Sequence, residues 1–212
     1  MSDLGDDYKE VIAEIGEAVI IVRKSGNVSG EFIKAQDNAQ VTKPFIREFF
    51  LEADFTYDTQ ILAGDILQLT DSRKYLVMNS TPRTFEGSTF KKTAVLYKCN
   101  TAGGLYRPTT RRIDGKAKTF WSEIANPCHA LLTESFYGHE LDAGEAVGPV
   151  SKLAMDCYMP HTVGAQKGDR LRVSPTESYQ IESIMTRRFD SVDLILLGED
   201  TREKDMAVVR IS

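Results

Sequence analysis

One phrase occurs twice in this chain. Gly64-Asp-Ile-Leu-Gln-Leu-Thr70 returns as Gly168-Asp-Arg-Leu-Arg-Val-Ser174, an offset of 104 residues (168 − 64). The register then holds without a gap: Tyr75 matches Tyr179, Val77 matches Ile181, Arg83 matches Arg187 and Phe85 matches Phe189. Over 22 aligned positions six are identical, where unrelated sequence of this usage gives about one. A chain that repeats itself at such a spacing is built from two copies of one supersecondary unit.

The repeated phrase has a physical meaning. Gly64-Asp65 and Gly168-Asp169 are structural turns, the glycine tolerating positive φ and the aspartate bonding nearby backbone. Leu67 and Leu69, like Leu171 and Val173, then alternate with polar residues, the period of a half-buried strand. A polar turn leads to a second strand carrying Tyr75 and Val77 or Tyr179 and Ile181, so each copy contains a hairpin. Further β-rich runs follow at Phe90–Tyr97 and Val192–Leu197, and Met206–Ile211 reads as a last strand. Upstream, Glu17–Arg23 and Phe45–Leu51 precede the first hairpin, and Cys128–Thr133 and Pro149–Met155 the second.

A mainly β fold with minor α follows: two tandem small β-barrels of related topology, each with a short flanking helix. Tyr8, Val11, Ile12 and Ile15 carry the stripe of one helix, and Phe120, Trp121 and Ile124 suggest the other, stopped by Pro127. Glycines, a proline and few strand formers mark 103–118 as a linker or extended loop. The expected domains are therefore 1–102 and 119–212.

Composition narrows the class. The net charge of −5 argues against a general nucleic-acid binder, yet residues 61–118 carry 11 basic against 4 acidic side chains, while both flanks are acidic. Arg107, Arg111, Arg112, Lys116 and Lys118, with Trp121 as an anchor, are the expected partner or inter-subunit contacts. Phosphate contact and a plainly solvated face are the alternatives. Three widely spaced cysteines, Cys99, Cys128 and Cys157, fit buried thiols in a reducing compartment. The acidic N-terminus does not read as a secretory signal, and no apolar run of about 18 residues suggests a membrane span. Synthesis in the cytoplasm is expected.

Reactive constellations are missing. There is no phosphate loop, no Gly-x-Ser-x-Gly elbow and no His-Glu-x-x-His, so neither catalysis nor a cofactor is expected. Cys128-His129 and Cys157 with His161 offer metal donors, and His139 completes the histidines, but the close cysteine pairs usual for zinc are lacking. Matched Asp65 and Asp169 admit a carboxylate site, though the turn already explains both. Matched Arg83 and Arg187 admit rim or partner contacts.

The run Lys167-Gly-Asp-Arg-Leu-Arg-Val173, Ser178-Tyr-Gln-Ile181 and Leu194-Ile-Leu-Leu197 resembles the barrel of tailed-phage head-closure and head-to-tail joining proteins. Ala63-Gly-Asp-Ile-Leu-Gln-Leu69 with Lys74-Tyr-Leu-Val77 carries the phrase again, so two copies depart from the single-barrel pattern. The resemblance implies a structural virion protein forming a homo-oligomeric ring around the DNA channel at the neck. Its neighbours would be portal or connector and tail proteins. Tail-terminator or baseplate positions, and a nucleic-acid-binding barrel module, are the alternatives. The module would use Phe90, Tyr97 and Tyr106 beside Lys91, Lys92, Lys98 and Arg107.

Overall fold

The computed structural model describes residues 4–36, 49–134, 154–185 and 191–199. Strands β1 (Glu17–Val22), β2 (Val28–Ala35), β3 (Phe50–Thr56), β4 (Ile66–Leu69), β5 (Lys74–Phe85) and β6 (Ser88–Lys98) close into a barrel in the order β1-β2-β3-β6-β5-β4. Strands β7 (Thr101–Ile113), β8 (Lys116–Glu134), β9 (Ala154–Pro160), β10 (Arg170–Ser174), β11 (Glu177–Met185) and β12 (Val192–Glu199) close in the same order. Among the described residues the strand pairings are antiparallel, and closure leaves no barrel strand with an open edge along its full length.

The two barrels agree in register as well as in order. Leu67 faces Tyr75 across β4 and β5, and Leu171 faces Tyr179 across β10 and β11. One ladder slips between Val77 and Asn79, the other between Ile181 and Ser183, again 104 residues apart. Each interior is filled by side chains, as a barrel this narrow requires. Ile21, Phe55, Leu67, Val77 and Leu96 fill the first. Leu105, Met159, Leu171, Ile181 and Leu197 take the matching positions in the second.

The expected linker is wrong in a specific way. Residues 103–118 lie in β7 and β8, and the two compact units part between Cys99 and Asn100. Leu105 faces Leu171 as Ile21 faces Leu67, so the counterpart of β1 is β7, at an offset of 84 rather than 104. Its glycines have a packing cause. Gly103 stands where β1 has Val19, and a Cβ there would come within 2.6 Å of the Arg172 carbonyl oxygen. The hairpin turn is Asp114-Gly115, both at positive φ (51° and 74°), the two-residue loop that matches strand twist.

The second flanking helix is also absent from its expected place, since Phe120, Trp121 and Ile124 lie in β8. Pairing with β7 overrides their helix-like spacing. The strand expected at Met206–Ile211, the segments Phe45–Glu48 and Pro149–Leu153, and the residues His139, Arg187 and Phe189 lie outside the described residues.

Helix α1 (Leu4–Ile15) packs on the first barrel against β2, β3 and β6. Ile12 is fully buried. The Tyr8 hydroxyl donates to Asp54 Oδ2 at 2.9 Å, and Asp54 also accepts from Lys91 Nζ (2.8 Å), Thr93 Oγ1 (2.9 Å) and Gln36 Nε2 (2.8 Å). Tyr8 stacks edge-on against Phe90. Position 158, the repeat equivalent of Asp54, is tyrosine, so the second barrel lacks this carboxylate anchor. Among the described residues no helix is long and apolar enough to cross a membrane.

Burial pushes the Asp54 carboxyl up, but hydrogen bonds from Lys91, Thr93 and Tyr8 and the Lys91 charge outweigh it and leave it below the usual range. A carboxyl depressed below its unfolded value of about 3.9 contributes stability that is present above that pH and lost as pH falls through the folded value. Asp54→Asn is therefore expected to cost about 1–3 kcal/mol in urea denaturation at pH 7. The difference from wild type should shrink below about pH 4, and equal stability at neutral pH would contradict the anchoring role.

Candidate interaction site: barrel seams and hairpin arms

Each barrel closes where its first strand meets its fourth, and at both seams the same cluster of polar groups is found. In the first, Arg23 follows β1 and donates Nε to Asp65 Oδ1 at 2.6 Å and Nη2 to Asp65 Oδ2 at 2.5 Å and to the Gln60 carbonyl at 2.6 Å. In the second, Arg107 in β7 donates to Asp169 Oδ1 at 2.9 Å, Oδ2 at 2.8 Å and the Gly164 carbonyl at 2.7 Å. The second carboxylate oxygen also takes a backbone N–H, from Leu62 or from Gln166, each at 2.8 Å. Every partner except the arginine keeps the 104-residue offset; the arginines differ by 84, like the strands that carry them.

The glycines complete the cluster. Gly64 and Gly168 sit at φ 86° and 90°, a region costly for other residues. Their N–H groups bond the carbonyls of Val77 and Ile181, and those residues bond back to Asp65 and Asp169. The two carboxylates are thus turn residues, as expected, and are also committed to an arginine that sequence reasoning did not link to them. Hydrogen bonds donated to the carboxylates raise the pKa of both guanidinium groups, so both arginines stay charged at any ordinary pH.

Of the expected contact residues, Arg107 is therefore turned to this seam. Trp121 is half-buried, with the Arg170 guanidinium carbon 4.3 Å from its ring centre. The others lie farther along an arm. Among the described residues β7 pairs with β10 only at Gly104–Tyr106, and β8 with β9 only at Leu131–Glu134, so there the outer hairpin projects as a two-stranded ribbon. Arg111 faces Lys118, and Ile113 faces Lys116, on one face of that ribbon; Arg112 faces Ala117 on the other. All four cations are exposed, and among the described residues none has an ion-pair partner. Charged side chains and Pro108 also guard the arm's open edges against pairing.

The first barrel has an arm of its own at β5 and β6, turning at Glu86-Gly87 with φ 48° and 83°. Arg83 lies on it across from Lys91, beside a shallow groove lined also by Gln36, Glu52 and Thr93. The aromatic platform proposed for a nucleic-acid module is largely spent on packing. Tyr97 and Tyr106 are buried, Phe90 stacks on Tyr8, Lys91 serves Asp54, and Lys92 donates to the Thr59 carbonyl.

The metal donors separate. Cys128 and Cys157 lie in the second barrel's apolar core, where burial pushes the Cys128 thiol up to about 11, so it is neutral and not a ready ligand. His161 places Nδ1 3.0 Å from Asp193 Oδ1. Among the described residues, no three His, Cys, Asp or Glu gather as a metal would need.

No family model matches the chain, and no curated protein does. Among solved structures the chain is similar to MrkH of K. pneumonia, at 9% identity over 94% of this chain and 84% of that one, with a TM-score of 0.19. A likeness so weak leaves the fold resting on the barrels' own geometry.

Asp169→Asn and Arg107→Lys are each expected to lower stability by about 2 kcal/mol, because neither replacement keeps two parallel charged bonds. Hydrogen exchange at the Gln166 amide should quicken in Asp169→Asn while that of Leu62 stays unchanged. Unaltered exchange at Gln166 would contradict the assignment.

Proposed function

We propose that this chain is a non-catalytic structural protein of a tailed-phage particle, which assembles with copies of itself as a ring at the neck around the DNA channel. The observation that carries the proposal is the β7–β8 arm, a cationic ribbon projecting from a barrel whose interior is already filled. Side chains occupy the space where a ligand-binding barrel would hold its ligand. Charge exposed on a projecting hairpin suits contact with another macromolecule. The repeated Gly-Asp, strand, polar turn, Tyr-x-Val or Tyr-x-Ile phrase, which resembles head-closure proteins, supplies the choice of particle and of station.

An alternative station at the tail terminator or baseplate uses the same surfaces. Light scattering and electron microscopy of the purified chain separate these readings from a nucleic-acid module. Closed rings, or oligomers that stack as rings, are expected, with duplex DNA bound weakly and without sequence preference. A chain that stays monomeric at every concentration, while binding DNA with a steep salt dependence, would overturn the proposal in favour of the module.

A further inference from the structure

We infer that the β7–β8 arm of one copy docks along helix α1 of the next copy, joining successive chains head to tail. The inference deepens the assembly reading above and rests on it. Its first ground is an apolar stripe wider than the barrel covers. Leu4, Val11 and Ile15 are spaced 7 and 4 apart, which puts them on one helical face. They stay 44%, 43% and 56% exposed while Ile12 beside them is fully buried.

The second ground is charge. α1 carries Asp6, Asp7, Glu10 and Glu14 against Lys9, a net of −3. Asp6 accepts from Tyr57 and Lys9 pairs with Asp58, but Glu10 and Glu14 are exposed and have no partner among the described residues. The distal arm, residues 108–121, carries four cations against Asp114, a net of +3. Its tip adds Ile113, 38% exposed, on the same face as Arg111 and Lys118. An apolar stripe edged by carboxylates thus has its complement in an apolar tip edged by cations.

Dimensions agree too. Twelve helical residues span about 18 Å, and the six strand residues from Pro108 to Ile113 about 20 Å. Helix and arm belong to different barrels of the chain, so the contact joins two unlike surfaces. Contacts of that kind propagate, and they close into a ring when the rotation between copies allows.

Charge reversal tests it. Two variants of the full chain are needed, Glu10→Lys with Glu14→Lys on the helix, and Arg111→Glu with Lys118→Glu on the arm, all at exposed positions. Sedimentation velocity should show wild type assembling more strongly at low salt, with each variant weakened about tenfold or more in dissociation constant. An equimolar mixture of the two variants should recover assembly, because each arm then meets a helix of opposite charge. Assembly undiminished in either variant would overturn the helix–arm contact while leaving the assembly reading intact. So would weakened variants whose mixture fails to recover. A wild type that remains monomeric, or whose arm instead captures duplex DNA, would overturn both.

Discussion

A guanidinium fork closed on a turn carboxylate, made once in each barrel, joins two stretches of chain that are far apart in sequence. Arg23 directly follows the first strand, Asp65 lies in the turn before the fourth, and the Gln60 carbonyl in the loop leading to that turn. Without it the β1–β4 seam would depend on four backbone pairings, at the point where a sheet must curl back on itself. The second barrel repeats the arrangement with Arg107, Asp169 and the Gly164 carbonyl around a seam of three pairings. Asp65 and Asp169 are almost wholly buried while both arginines keep an exposed edge. Such a carboxylate needs its cation, because a buried charge left alone is costly.

The visibility of this fold in the sequence followed the distribution of that constraint. The Gly-Asp turns, and the strands directly after them, keep both spacing and residue type because they enclose the seam, and they alone revealed two related barrels. The first strands did not survive as a pattern. Val19 has become Gly103 to let the Arg172 carbonyl approach, and the offset has fallen from 104 to 84. The hairpin after β7 has lengthened to 13 and 19 residues where β1 and β2 have 6 and 8. Glycines and a proline in that stretch looked like a linker, although Asp114-Gly115 is a strong two-residue hairpin signal. Phe120, Trp121 and Ile124 show the limit of periodicity over short windows, since a long partner strand decides what spacing alone cannot.

The candidate site was partly legible for the same reason. Arg111, Arg112, Lys116 and Lys118 stood out as a basic run, and the arm does expose them. Arg107 belongs to the same run by sequence but not by environment, because its partner lies 62 residues away. Asp54 carried no signal at all. It is one carboxylate among many until helix and strands bring Tyr8, Lys91, Thr93 and Gln36 around it. The helix stripe was recognised as apolar, whereas its exposure along Leu4, Val11 and Ile15 becomes evident only once the barrel beneath is in place. That surface, opposite in charge to the arm, is the one that the proposed contact between copies uses.

The seam interaction is tested most directly by double-mutant cycles at Arg23 with Asp65 and at Arg107 with Asp169, read by chemical denaturation. Coupling of about 1–3 kcal/mol in each barrel is expected. Coupling indistinguishable from zero at either seam would mean that closure depends on something other than this matched pair.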